Sequence, residues 1–386
     1  MKRMKIAYNL PSLYIPGGME RVLVMKADYL VRNGCEVHII LTDGADKPSY
    51  YPLNPAVVVH QLDINFDEDN GSSFLKRVWM YRRKMRIIKR RLDECLCGIR
   101  PDITVSMLRR DINLLNAMKD GSLKIGEMHI CRAYFRNFHA PFLPAPVYGF
   151  IRKRWIDAAL RELRQFSKFV LLSEEDAAAW KELDNTVVIP NPVSFFPESV
   201  SDCSFKQVIA VGRYTGQKGF DKLIAAWQKV AVLHPDWVLK IYGDGFLRES
   251  LQRQIERLGV ADSCMLERPT ADIAGKYQES SIFVLSSVYE GFGLVIVEAM
   301  SCGLPVVSFA CPCGPRDIIT DGKDGFLVAA GDVDGLAAKM DELISDDELR
   351  RKMGHAARLK SENYQMERIG PMWLDLFNEL LRQRDK

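Results

Sequence analysis

The chain has 386 residues, about two to three domains at ~150 residues each, and its 47% hydrophobic and 27% charged residues are an ordinary globular balance. That excludes a disordered tail protein, a collagen-like fibre and a disulfide-rich mini-scaffold. The net charge of +3 points by itself to neither nucleic acid nor membrane, but Lys and Arg exceed Asp and Glu by eight through Pro190 and trail them by five beyond it, so the first half suits an anionic surface.

Short apolar runs alternate with longer amphipathic ones, the pattern of parallel sheets flanked by helices. The opening MKRMKIAYNLPSLYIPGG carries the charges of a signal peptide, but its apolar run breaks at Asn9 and Pro11. In the first half we read strands at 5–9, 37–41, 103–106, 124–127, 168–172 and 186–189, and a helix at 19–33 closed by Gly34 as C-terminal cap. Ile189-Pro190-Asn191-Pro192 continues neither helix nor central strand, which sets the domain boundary at 192/193. The second half reads strand 207–212, helix 220–234, strand 237–242, helix 247–258, strand 281–286, helix 294–301 and strand 305–309, a doubly wound α/β unit through 364. Residues 365–386 form an amphipathic helix (Met366, Ile369, Trp373, Leu376, Leu380) expected to pack back on the first domain. No stretch approaches the ~18 apolar residues of a membrane span. Nine scattered cysteines lack zinc spacing, so reduced thiols and a cytoplasmic protein are expected.

Gly17-Gly18 opens the first helix, where bare amides suit a phosphate and a plain turn fits equally. Arg213 and Lys218 follow a strand in VGRYTGQKGFDKLI, placed at the sheet edge to grip a diphosphate as fork and point charge, or to be solvated. In VYEGFGLVIVEAMSCGLPVV, Glu290 and Glu298 lie eight residues apart, on the order of 12 Å along a helix, near the reach of a nucleotide sugar from ribose to hexose. Glu298 sits among Val295, Ile296, Val297, Ala299 and Met300 and so needs a partner. Residues 74–92 hold nine Lys or Arg and no acid, with Leu75, Val78, Tyr81, Met85, Ile88 and Leu92 at helical spacing. This basic amphipathic helix packs on a core with a solvated face, or also meets an anionic membrane through Lys76 to Arg91. Asp67-Glu68-Asp69 has the form of a metal-holding D-x-D within a polar loop and receives no role. Cys95, Cys97, Cys311 and Cys313 read as structural thiols. His129 follows a strand in KIGEMHICRAYF, within reach of a substrate or merely structural.

Gly17-Gly18-Met19-Glu20-Arg21, VGRYTGQKG, IYGDGFLRESL and EGFGLVIVEAMSCGLPVV with CGPRDIITDGKDGFLV together resemble the retaining nucleotide-sugar transferases of glycosyltransferase family 4, which have the GT-B fold. The resemblance covers the donor half almost continuously and the first half only at the glycine pair, at His129 and in overall pattern. It implies an α/β protein of two Rossmann-like doubly wound domains facing across a cleft that takes the donor. Arg213 and Lys218 would hold the diphosphate, with Gly17 and Gly18 opposite. Glu298 would take the ribose hydroxyls, and Glu290 with the amides of Phe292, Gly293 and Leu294 the hexose. The base would lie near Arg268 to Ile273, and His129 near the sugar C6 hydroxyl. The diphosphate would itself accept the acceptor's proton, so neither metal nor other cofactor is expected. CPCGP and ERPTADI look like those of bacterial surface-polysaccharide and lipopolysaccharide transferases that use UDP-hexoses or UDP-N-acetylhexosamines and lipid-linked saccharide acceptors at the inner membrane face. A GT-B epimerase or phosphorylase, and a non-enzymatic binder of anionic lipid or RNA, are the alternatives; the chain is short for a phosphorylase, and the binder leaves Glu290 and Glu298 unexplained.

Overall fold

The computed structural model describes residues 3–44, 47–66, 74–136 and 144–384. The chain forms two compact units, the first comprising the described residues up to Leu172, Ala177–Ile189 and the chain from Met366, the second Ser173–Asp176 and Pro190–Gln365. The division differs from the expected 192/193 boundary by three residues and by the excursion at 173–176. Polar contacts account for that excursion. The amides of Glu174 and Glu175 donate to Asp317 Oδ1 at 3.1 and 3.3 Å, the Cys313 amide donates to Glu175 Oε2 at 3.1 Å, and Arg316 pairs with Glu175 at 2.5 Å.

The first unit contains β1 (Lys5–Leu10), α1 (Gly18–Arg32), β2 (Glu36–Leu41), β3 (Val58–Gln61), α2 (Phe74–Ile99), β4 (Ile103–Ser106), β5 (Leu123–Glu127), α3 (Ala145–Leu163), β6 (Lys168–Leu171), α4 (Glu174–Ala179), whose first three residues belong to the second unit, and β7 (Thr186–Val188). Its parallel sheet runs β3-β2-β1-β4-β5-β6-β7. The pleat sends alternate side chains of a strand to opposite faces. Ile6, Tyr8 and Leu10 therefore join Leu23, Ala27 and Leu30 of α1 in one core, while Ala7 joins Ile88, Leu92 and Leu96 of α2 and Leu160 and Leu163 of α3 in the other. The stripe of α2 is thus buried from Ile88 onward, whereas Tyr81, expected in the same stripe, is exposed beside Trp79.

The second unit contains β8 (Gln207–Val211), α5 (Phe220–Leu233), β9 (Val238–Tyr242), α6 (Arg248–Arg257), β10 (Cys264–Glu267), α7 (Ile273–Gln278), β11 (Ile282–Leu285), α8 (Leu294–Ser301), β12 (Val306–Phe309), α9 (Pro315–Ile318), β13 (Gly325–Val328), α10 (Val333–Ser345) and α11 (Asp347–Ser361). Its parallel sheet runs β10-β9-β8-β11-β12-β13 around a core that includes Trp227, Ile241, Val284 and Phe309. The chain then closes with α12 (Met366–Arg384), whose Ile369, Trp373 and Phe377 complete the α1 face of the first unit. No described helix is long and apolar enough to cross a membrane. The buried thiols of Cys264 and Cys302 are pushed up to about 12, which keeps them protonated and unreactive.

Candidate active site

In the second sheet the chain leaves β8 toward β9 and β10, then begins β11 on the other side of β8. The loops after β8 and β11 therefore adjoin at the carboxyl edge, the switch point where open α/β sheets bind ligands. Hydrogen bonds stitch the two together. Val288 N donates to Gln217 O at 2.8 Å, Ser286 Oγ to Lys218 O at 2.8 Å, and Gln217 Nε2 to Tyr289 O at 3.1 Å. Gly219, at φ +60°, makes the turn into α5, and a Cβ there would lie 2.2 Å from Ser286 O. The IYGDG segment adjoins the first of these loops: Tyr214 N donates to Asp244 O at 2.8 Å, and the Tyr214 hydroxyl donates toward Ile241 O (2.7 Å) and Glu267 O (2.6 Å).

The stitched loops bring Lys218 and Glu290 together. Lys218 Nζ donates to Glu290 Oε1 at 2.7 Å and Ser287 Oγ donates to the same oxygen at 2.6 Å. The side chains are only 13% and 8% exposed, so the pair is shielded from water and its geometry is fixed. The family resemblance assigned Lys218 to the diphosphate and Glu290 to the hexose; here the carboxylate anchors the ammonium. Arg213 differs: it is exposed, and among the described residues its guanidinium makes no hydrogen bond or ion pair. Beyond Glu290 the chain turns at Gly293 (φ +91°) into α8. Among the described residues the amides of Phe292, Gly293 and Leu294 donate no hydrogen bond, leaving a row of N–H groups at a helix start. The CPCGP segment holds that row in shape: Glu290 N donates to Pro312 O at 3.1 Å, and a Cβ on Gly314 would lie 1.8 Å from Phe292 O. Glu298 is buried on α8 as its apolar neighbours implied, at 4% exposure. Arg268 is exposed just beyond β10, and Ile273 opens α7, whose N-terminus Asp272 caps by accepting from Gly275 N at 3.0 Å.

In the first unit Gly17 caps α1 and Gly18 begins it. The Gly17 amide is not bare as expected but donates to Ile15 O at 2.8 Å. The Glu20 carboxylate folds back over the turn, so that a Cβ on Gly17 would lie 2.0 Å from its Oε2. An acidic side chain is stabilised at a helix N-terminus, and the glycine makes room for it. His129 lies two residues past β5, 13% exposed, with Nε2 at 3.1 Å from Glu127 Oε1. Sequence reasoning missed what stands behind it. Glu127 Oε2 accepts from Lys26 Nζ at 2.5 Å, both side chains being essentially inaccessible (0% and 2%). The ammonium lies over the Trp373 ring at 4.2 Å and the Tyr8 ring at 5.4 Å. Burial alone would raise the Glu127 carboxyl, but the Lys26 ammonium and the His129 ring outweigh it and hold the group at about 2, hence ionised. Burial also pushes the Tyr8 hydroxyl well up, with Glu127 adding to the effect, so Tyr8 stays neutral. The only sequence signal for this group was an acid at the end of an apolar strand. The Asp67-Glu68-Asp69 run lies outside the described residues.

Residues 16–195 match the family model described as Glycosyltransferase Family 4, and residues 195–360 the model described as Glycosyl transferases group 1. The chain belongs to glycosyltransferase family 4. Over 373 residues the glycosyltransferase is 28% identical to an uncharacterized glycosyltransferase of Haemophilus influenzae, covering 96% of this chain and 98% of that one. It is 27% identical, over 98% and 99% of the two chains, to the Campylobacter jejuni GalNAc-alpha-(1->4)-GalNAc-alpha-(1->3)-diNAcBac-PP-undecaprenol alpha-1,4-N-acetyl-D-galactosaminyltransferase. Among solved structures, a mutant of S. aureus TarM in complex with Fondaparinux, alpha-GlcNAc-glycerol and UDP superimposes with a TM-score of 0.77 at 16% identity, over 97% of this chain and 100% of that one. The glycosyltransferase thus has the GT-B architecture of two Rossmann-like units.

Proposed function

We propose that this glycosyltransferase moves a hexose or N-acetylhexosamine, with retention, from a UDP-sugar to a lipid-linked saccharide in bacterial surface-polysaccharide or lipopolysaccharide synthesis. The observation that carries the reading is the cluster at the β8/β11 switch point: the anchored Lys218 ammonium and, unpaired among the described residues, the Arg213 guanidinium and the amides of Phe292 to Leu294. Two cations and a row of N–H groups suit a diphosphate whose negative charge grows as the glycosidic bond breaks. Glu290 holds the hexose hydroxyls and Glu298 those of the ribose, with the base between Arg268 and Ile273. The leaving diphosphate takes the acceptor hydroxyl's proton as the new C–O bond forms, so the protein supplies position and charge instead of a base, and no metal is called for. UDP is supported by its presence in the TarM complex, and a lipid-linked acceptor by the name of the Campylobacter relative.

Metal-free UDP binding is the direct test. With EDTA present, UDP and one UDP-sugar should raise the melting temperature selectively, by ~2.7 kcal/mol of stabilisation at a hundredfold excess over Kd. No shift with any nucleotide, or one that EDTA abolishes, would overturn the site.

The acceptor's carrier calls for membrane contact, and α2 offers it. Arg82, Arg83, Arg86, Lys89 and Arg90 are exposed together with Trp79 and Tyr81. Lys84 and Arg91 are engaged elsewhere, on Asn65 O at 2.6 Å and Leu62 O at 2.5 Å. At roughly 1 kcal/mol per basic residue near an anionic surface, Gln at positions 82, 83 and 86 should weaken sedimentation with phosphatidylserine vesicles by about 10²-fold. Unchanged sedimentation would leave α2 a structural helix.

A further inference from the structure

The buried ion pair behind His129 is larger than the fold requires. A Lys–Glu pair sealed from water gains little net stability over an apolar pair of the same volume, because both ions lose their hydration. Yet at the carboxyl end of β5 this pair is fully enclosed, under the α12 indole on one side and Tyr8 on the other. What the pair provides is a carboxylate with one oxygen spent on Lys26 and the other turned to His129 Nε2. An ionised carboxylate only accepts hydrogen bonds, so the ring nitrogen facing it must carry the proton.

We propose that Glu127, held by Lys26, is a positioning residue that fixes His129 as the Nε2–H tautomer, presenting Nδ1 as a hydrogen-bond acceptor for a substrate hydroxyl. The proposal rests on the role that the family resemblance implies for His129, beside a hydroxyl of the sugar. Lys26 sets the rotamer of the carboxylate, the carboxylate sets the plane and tautomer of the ring, and the ring, 13% exposed, is the one member of the three that reaches solvent. In the opposite tautomer the ring would present an N–H where a hydroxyl donor needs an acceptor.

The test uses two paired variants of the full chain, each free of a lone buried charge. Lys26→Met/Glu127→Gln keeps an oxygen that accepts from Nε2, whereas Lys26→Met/Glu127→Leu keeps none. The first should retain most of the wild-type kcat, and the second should lose about tenfold or more, the worth of one hydrogen bond to substrate, with UDP affinity held. Long-range proton–nitrogen correlation of histidine-labelled protein, with His129→Ala assigning the signal, should find Nε2 protonated in wild type and in the Gln variant, and a tautomer mixture in the Leu variant. An Nδ1–H signal in wild type overturns the proposal whether or not the variants fold, as does a folded Leu variant with wild-type kcat. If His129→Ala itself turns over normally while wild type holds the Nε2–H tautomer, the fault lies in the substrate role given to His129, and the positioning role falls with it.

Discussion

Arg213→Ala should turn over about 10²-fold more slowly or worse, the scale of losing one preorganised charge-stabilising group, while melting at the wild-type temperature. The two halves of that expectation have separate origins. The guanidinium is exposed and makes no hydrogen bond or ion pair among the described residues, and removal of such a group typically leaves stability within about 0.5 kcal/mol. Among the described residues no hydrogen bond or ion pair depends on it, so its loss should be felt in turnover and not in folding. Single-turnover kinetics with a saturating UDP-sugar would isolate the effect on kcat from that on binding. A folded Arg213→Ala with wild-type kcat would remove this residue from the reaction. Lys218→Ala makes the contrast: because Lys218 anchors Glu290, whose side chain is 8% exposed, its loss should lower both turnover and melting temperature.

Lys26→Met should destabilise the first unit by about 3–5 kcal/mol, the cost of leaving a buried charge without its partner. Adding Glu127→Gln should recover most of that loss. Glu127 also sets the direction of the acid response. Its folded value of about 2 lies below the ordinary 4.5, so its contribution is complete above that ordinary value and disappears as pH falls through about 2. Urea midpoints followed downward from neutral pH should therefore drop more steeply in wild type than in Lys26→Met/Glu127→Gln. Parallel acid limbs would mean that the pair does not carry the charge assigned to it.

The donor half was legible because its information is local. Gly293 turns the chain at φ +91°, α8 spans Leu294–Ser301 as the apolar run indicated, and α5 spans Phe220–Leu233 against the expected 220–234. In each case a few neighbouring residues decide the conformation. The strands that escaped notice, β3, β10 and β13, are all outer strands of their sheets. An edge strand is short and half covered, and its apolar signal is correspondingly broken; Val58 and Val59 are 43% and 39% exposed.

The sequence by itself determined the two doubly wound units, the family motifs and the residue types at the carboxyl edges, because strand–loop–helix order and glycine turns are written in consecutive residues. Tertiary structure alone decided the pairings. Lys218 meets Glu290 across 72 residues, Lys26 meets Glu127 across 101, and Cys313 meets Glu175 across 138. No periodicity encodes such contacts. They follow from strand order, which sets β11 beside β8 and β5 beside β4, and from helices that close over buried charges only once the sheets have formed.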